Sequence, residues 1–390
     1  VDPIIALMQG VLDDVRDDTS GAPASYIPEL AAAEPDHLGF AVVGPRGQVR
    51  SVGDDHVEFT IQSISKPFVL AHVLSVIGLD AVMQRVGTEP SGEPFNAISL
   101  EEGSGRPANP MVNAGAIATT GLVEGVDVYD RTERIVETLS AFAGRQLHVD
   151  ESVYLSESTT GDRNRALGHL MRSYGIVDAP VDTALETYFR QCSIAVTVRD
   201  LAVMASTLAF GGVNPVTHER VVGERVARDV LSIMSSCGMY DFSGEWLLRV
   251  GLPAKSGVSG GVLAVAPSQF GVAAFSPRLD RHGNSVRGQA IVTELSDRMG
   301  MHLLEPHESI SQPIVDVVET DEGRTIRLSG ELGFAAAERV LAVLREVALV
   351  VPSDSIIRVD AREVARTHPA ALAALKAELD SLPGDVRVIE

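Results

Sequence analysis

The sequence predicts an α/β or α+β sandwich with a helical subdomain, followed by a smaller α/β unit, and three observations carry that reading. Two short apolar runs, Leu38 to Val43 and Val49 to Val52, are joined by the turn Gly44-Pro45-Arg46-Gly47. A third run, Phe270 to Phe275, comes late in the chain, after Pro253. Between them apolar residues recur at helical spacing over Ile64 to Ile77, Asp130 to Ala143, Ala166 to Tyr174, Val198 to Ala209 and Val221 to Cys237. Strands distant in sequence that share one sheet, with helices packed on it, satisfy all three.

The remainder of the chain has a different rhythm. Ile314 to Val318 and Thr325 to Leu328 read as strands, Ala335 to Val347 as a helix and Ile356 to Val359 as a buried strand. A helix over Pro369 to Leu382 and a strand over Val386 to Ile389 complete a β-β-α-β-α-β unit of about 80 residues, within the usual domain range. The expected organisation is residues 1–308, a linker at 309–312, and residues 313–390, consistent with 390 residues at about 150 per domain.

Charge narrows the function. The net charge of −21 repels phosphate backbones and anionic lipids, and no basic cluster offsets it, so neither nucleic acid nor a membrane surface is an expected partner. Two cysteines, Cys192 and Cys237, cannot form a disulfide framework or a four-cysteine zinc site. The histidines show no metal-ligand spacing, so no metal is expected. No run of about 18 apolar residues could span a bilayer, and the chain reads as cytoplasmic. Only three of the 32 cationic residues are lysine, Lys66, Lys255 and Lys376. Unlike Arg, a buried Lys can lose its proton and act as a base.

Two of those lysines sit in chemically suggestive motifs. In Gln62-Ser63-Ile64-Ser65-Lys66-Pro67-Phe68, Pro67 has no N–H to give residue 63, so a helix can begin little earlier than Ser63. Ser63 and Lys66 then share one face, with the amine in reach of the hydroxyl, and Ile64, Phe68, Val69 and Leu70 are placed to desolvate the amine. This is the S-x-x-K logic of serine acyl-transfer enzymes, although a capping Ser and a snorkelling Lys have the same spacing. Lys255-Ser256-Gly257 before the apolar run Val262 to Ala266 has the form of the K-T-G strand that flanks such nucleophiles, or of a plain hairpin turn. Polar groups cluster elsewhere in Asn109-Pro110-Met111-Val112-Asn113, in Ser156-Glu157 with Gly161-Asp162-Arg163-Asn164, and around Tyr188 and Tyr240. Gly161 argues for a loop between Glu157 and Asn164.

Taken in order, Tyr26-Ile27-Pro28-Glu29-Leu30, Gln62 to Lys66, Asn109 to Ala116, Ser156 to Asn164, Tyr188 to Ser193, Met239 to Gly244 and Leu252 to Val258 resemble the serine-dependent glutaminase family over about residues 1 to 305. The resemblance implies a β-lactamase-like fold that hydrolyses L-glutamine to L-glutamate and ammonia with no cofactor. It implies Ser63 as nucleophile, Lys66 and Tyr240 as proton-transfer groups, and the amides of Ser63 and Val258 as the oxyanion hole. Sequence leaves open which of Lys66 and Tyr240 is the base. Glu157 suits the substrate ammonium, and Tyr26, Gln62, Asn113, Asn164 and Tyr188 supply neutral hydrogen bonds. The family also implies a homo-oligomer, a dimer or tetramer.

The last unit resembles the STAS module through Gly330-Glu331-Leu332, read as a turn before a helix, and the strand Ile356 to Asp360. Where that family carries a phosphorylatable serine, this chain has Thr367-His368-Pro369-Ala370-Ala371, so a docking or oligomerisation module with a protein partner is the expectation. Two other functions fit parts of the pattern. Ser63, Lys66 and Lys255 suit a penicillin-binding acyl enzyme, against which Glu157 and Asn164 count. A glutamine sensor needs the pocket but has no need of a nucleophile's base.

Overall fold

The computed structural model describes all residues except 1, 93–99, 179, 306–313, 321–322, 333, 351–355, 368–371, 373–374, 378, 380–384 and 390. The chain forms two compact units, Val1–Glu305 and Pro306–Glu390. The expected linker at 309–312 lies outside the described residues.

An antiparallel five-stranded sheet organises the first unit. β1 (Gly39–Val43) and β2 (Val49–Gly53) form the early hairpin, while β3 (Ala254–Ser256), β4 (Gly261–Ala266) and β5 (Phe270–Phe275) arrive after the helices. The spatial order is β2-β1-β5-β4-β3, with Phe40 of β1 opposite Ala274 of β5, so early and late strands meet inside one sheet. Alternation assigns the two faces. Ala41, Val43, Leu263, Val265 and Ala273 face a core shared with helix α1 (Lys66–Ile77) and the helices Val128–Ala143, Val198–Ala209 and Glu224–Cys237. Phe40, Val42, Val262, Ala264 and Val272 face a second core with the helices Pro3–Val15 and Val286–Met299. Burial on both faces is why β1 and β4 read as unbroken apolar runs rather than alternating ones.

A helical subdomain frames one end of α1. It comprises α2 (Asn113–Gly121), α3 (Glu151–Thr160), α4 (Asp162–Ser173) and α5 (Val181–Cys192), packed through Ile117, Leu167, Met171, Leu185 and Phe189, all fully buried. The loop expected at Gly161 is only a break between α3 and α4. A Cβ at 161 would run into the Phe189 ring, so this glycine serves close packing and not a flexible connection. The helix expected from Ala166 accordingly starts at Asp162, and the one expected from Val221 starts at Glu224, after Gly223.

In the second unit β6 (Ile314–Thr320), β7 (Gly323–Leu332), α6 (Phe334–Val350), β8 (Ile356–Thr367) and β9 (Asp385–Ile389) form a sheet of order β9-β8-β7-β6. β7 and β8 are parallel, joined through α6, and Ile326, Leu328, Ile357 and Val359 pack on Val340 and Leu344. Gly330-Glu331-Leu332 is not a turn. It is the end of β7, paired with Val364, Arg366 and Thr367, and a register shift with positive φ at Gly330 bends the strand there. Of the helix expected over Pro369 to Leu382, residues 372, 375–377 and 379 are described and helical, while His368 to Ala371 lie outside the described residues. Among the described residues no helix is long and apolar enough to cross a membrane, and no group of three His, Cys, Asp or Glu could hold a metal ion.

Candidate active site

Two residues beside the site adopt backbone conformations that side chains disfavour. A 3-10 turn, Gln62–Ser65, precedes α1, as Pro67 requires, and Gln62 has φ of 49°. Tyr240, opening a short 3-10 turn before the helix Ser243–Arg249, has φ of 60°. Each such residue costs about 1–3 kcal/mol and persists only where its surroundings over-determine it. Both are held the same way: Ser65 Oγ donates to the Gln62 carbonyl at 2.7 Å, and Ser243 Oγ donates to the Tyr240 carbonyl at 2.8 Å. Burial of the neighbouring Ile64, fully enclosed, contributes about 2 kcal/mol, enough to offset one of these strains.

The turn opens into a pocket of about 290 Å³. Eight of the ten residues expected at the site line it: Tyr26, Gln62, Ser63, Asn113, Glu157, Asn164, Tyr188 and Val258. Lys66 and Tyr240 lie behind the wall, both buried. α3 brings Glu157 from its last turn and α4 brings Asn164 from its first, so the break at Gly161 aims both side chains inward. Tyr26 Oη donates to Glu157 Oε1 at 2.7 Å and Gln62 Nε2 donates to the same oxygen at 3.1 Å. Asn113 Nδ2 donates to Asn164 Oδ1 at 3.1 Å, and Asn113 Oδ1 accepts from Tyr188 Oη at 3.3 Å and from Lys66 Nζ at 2.7 Å. Val258 sits on the turn between β3 and β4, where Gly260, at φ of 100°, has no room for a Cβ against the Ser276 carbonyl. Neither the Ser63 nor the Val258 amide is among the turn and loop donors of the described residues.

Burial sets the protonation states. It pulls the Lys66 ammonium from 10.5 to about 8 and Lys255 well below its usual value, with Lys66 adding to the latter. The Tyr240 phenol is pushed up to about 12 by burial, against hydrogen bonds with Ser63 and Ser256. Tyr240 Oη donates to the Ser256 carbonyl at 3.1 Å, so toward Ser63 the phenol oxygen is an acceptor. Burial also raises the Glu157 carboxyl, which Tyr26 and Gln62 counter. The amine-to-hydroxyl contact expected between Lys66 and Ser63 is absent from this geometry: the amine's hydrogen bonds go to Asn113 and to the Met111 carbonyl at 3.3 Å.

A strained serine turn, a buried low-pKa lysine one turn on and a carboxylate across a small pocket suit acyl transfer on an amine-bearing substrate. Residues 21–304 match the model of the Glutaminase family. The chain belongs to that family. A glutaminase of Corynebacterium glutamicum is 44% identical over 376 residues, covering 96% of this chain and 90% of that protein. One from Trichormus variabilis is 50% identical over 303 residues, covering 78% and 91%. The solved structure of Mglu superposes with a TM-score of 0.92 at 39% identity, covering all of this chain and 98% of that one; Mglu in its glutamate form does so at 0.92 and 36%, over all and 99%. The fold is thus the mixed α/β architecture of solved glutaminases, in the β-lactamase-like class, and this glutaminase is a hydrolase acting on the amide of glutamine.

The pocket of the glutaminase also includes Thr160, Gly161, Arg163 and Cys192, which sequence did not single out as site residues. Their proximity to motif residues was the available signal: 160, 161 and 163 lie between Glu157 and Asn164, and Cys192 is one turn beyond Tyr188. Burial, followed by the Glu157 charge, pushes the Cys192 thiol up to about 12. At pH 7.5 that leaves roughly 10³-fold less thiolate than an ordinary cysteine carries. Iodoacetamide should therefore leave native enzyme active and Cys192 unmodified by peptide mass mapping. Rapid alkylation of Cys192 in the folded protein would contradict this environment.

Proposed function

We propose that this glutaminase works through a Ser63 acyl-enzyme. Ser63 Oγ attacks the side-chain amide carbon of L-glutamine while its proton passes to the neutral Lys66 amine. The oxyanion forms between the amides of Ser63 and Val258. The C–N bond then breaks, the proton reaches the departing nitrogen by way of Tyr240, and ammonia leaves a γ-glutamyl ester on Ser63. Water hydrolyses that ester, the serine recovers its proton, and L-glutamate departs. Glu157 holds the substrate ammonium: both of its hydrogen bonds fall on Oε1, leaving Oε2 for the ligand. Tyr26, Gln62, Asn113, Asn164 and Tyr188 orient the α-carboxylate and the amide.

The observation that carries this reading is Ser63 on the pocket wall with its hydroxyl engaged by Tyr240 and a depressed-pKa Lys66 one turn away. Acid quenching during turnover, followed by peptide mass spectrometry, should find a γ-glutamyl adduct on the peptide holding Ser63, and hydroxylamine should divert product to γ-glutamyl hydroxamate. No adduct and no hydroxamate would overturn the acyl-enzyme. For the second unit, the strand and helix order supports a STAS-like docking or oligomerisation module; that the chain associates as a dimer or tetramer is what the family resemblance implies.

A further inference from the structure

Behind the nucleophile turn, outside the pocket lining, runs a chain of buried hydrogen bonds that the chemistry above does not use. Thr120 Oγ1 donates to Gln191 Oε1 at 2.7 Å, Gln191 Nε2 donates to Ser65 Oγ at 3.0 Å, and Ser65 Oγ donates to the Gln62 carbonyl at 2.7 Å. Thr120, Gln191 and Ser65 are at most 1% exposed. Direction along this chain is fixed. The Gln62 carbonyl only accepts, so Ser65 must give it its one proton, and the Gln191 atom facing Ser65 must be the donor nitrogen.

The last link matters because of peptide geometry. The Gln62 carbonyl and the Ser63 N–H belong to one planar, trans peptide unit, so holding the oxygen fixes where the N–H points. That N–H is one of the two proposed oxyanion donors, and Gln62 lies at a φ that the chain would otherwise leave. We infer that Thr120, Gln191 and Ser65 are positioning residues that aim the Ser63 amide at the developing oxyanion, an inference that rests on the acyl-enzyme reading. The relay also ties the turn to two of the four helices that carry pocket groups. Thr120 lies seven residues after Asn113 on the same face of α2, and Gln191 lies three after Tyr188 on α5. The serine that pins Tyr240 from three residues on, Ser243, repeats the arrangement at the other positive-φ residue of the site.

An oxyanion donor acts in the transition state, so its misorientation lowers kcat and spares KM. Removal of one such donor outright costs about 10²-fold or more, and a donor merely released from its restraint should cost about tenfold. Ser65→Ala should therefore lower kcat about tenfold with KM within about twofold of wild type. Thr120→Val, nearly isosteric, should lower it about threefold, and Thr120→Ser, which keeps the hydroxyl, should restore wild-type kcat. All are assayed well below the melting transition, with folded content verified by circular dichroism. Wild-type kcat in both Ser65→Ala and Thr120→Val, or a loss expressed only in KM, would overturn the relay. Ser63→Ala assayed in parallel separates the two readings: if it retains turnover the nucleophile is misassigned, whereas a dead Ser63→Ala beside fully active Ser65→Ala and Thr120→Val sinks the relay alone.

Discussion

Ser63→Ala is expected to lose glutamine hydrolysis by about 10⁴-fold or more while remaining folded and able to bind glutamate. Covalent catalysis divides one difficult amide hydrolysis into two easier steps, and without the serine oxygen neither step has its path. The residual rate that survives removal of a nucleophile in such sites comes from the oxyanion hole and from binding. Nothing in the binding groups leans on Ser63: the hydrogen bonds of Tyr26 and Gln62 converge on Glu157, and those of Tyr188, Asn164 and Lys66 on Asn113. The hydroxyl's partner is Tyr240, which keeps its bond to the Ser256 carbonyl, so stability should change by about 1 kcal/mol or less. Coupled-enzyme detection of ammonia measures the first effect and calorimetry with L-glutamate the second. Turnover within about tenfold of wild type would remove Ser63 from the mechanism. A variant that binds but does not turn over is, in effect, the sensor that the sequence offered as an alternative, which shows how little separates the two functions in this pocket.

The sheet was legible because its apolar strands are short, bounded by turns and joined in ways that only a shared sheet accommodates. Helices with a strong apolar stripe were legible for the same kind of reason, Val198–Ala209 to the residue. The helix Val181–Cys192 was not, although Val181, Ala184, Leu185, Tyr188, Phe189 and Cys192 fall at helical spacing and are buried, because the polar Thr187, Arg190 and Gln191 buried among them interrupt the apolar stripe. Periodicity measures apolar faces, and polar residues enclosed within such a face blur it. The three-stranded sheet of Phe59–Thr60, His148–Val149 and Ile194–Val196 escaped because two- and three-residue strands hold no pattern. Residues that line the pocket were readable by type and motif, but the hydrogen-bond chain behind them was not. Ser65, Thr120 and Gln191 are small or neutral polar residues of ordinary kind, and only their convergence in space distinguishes them from a surface serine, threonine or glutamine.

The pH dependence of kcat/KM should resolve which group takes the serine proton, and the expected answer is Lys66. A general base acts in its deprotonated form, so activity follows the neutral fraction of whichever group is used. Lys66 at about 8 gives a rate that climbs tenfold per unit below pH 8, reaches its plateau near pH 9, and at pH 6 stands about 10²-fold under it. Tyr240 at about 12 would instead keep the rate rising through pH 10. Lys66→Met should flatten the climb and reduce turnover by about 10³-fold or more, and Lys66→Arg should do no better because a guanidinium keeps its proton. Stability carries the same signature. The buried amine holds its proton less tightly folded, at about 8, than its ordinary 10.5. Below pH 8 both states are protonated and the buried charge destabilises the fold in full; between pH 8 and 10.5 the folded state sheds the proton first and this term relaxes, by up to about 3 kcal/mol. Met at 66 abolishes that relaxation. It also orphans the Met111 carbonyl and one acceptor position of Asn113, at about 1–3 kcal/mol each, so the variant should gain little stability at neutral pH despite losing a buried cation. A wild-type stability curve flat between pH 8 and 10 together with a rate still climbing at pH 10 would transfer the base role to Tyr240.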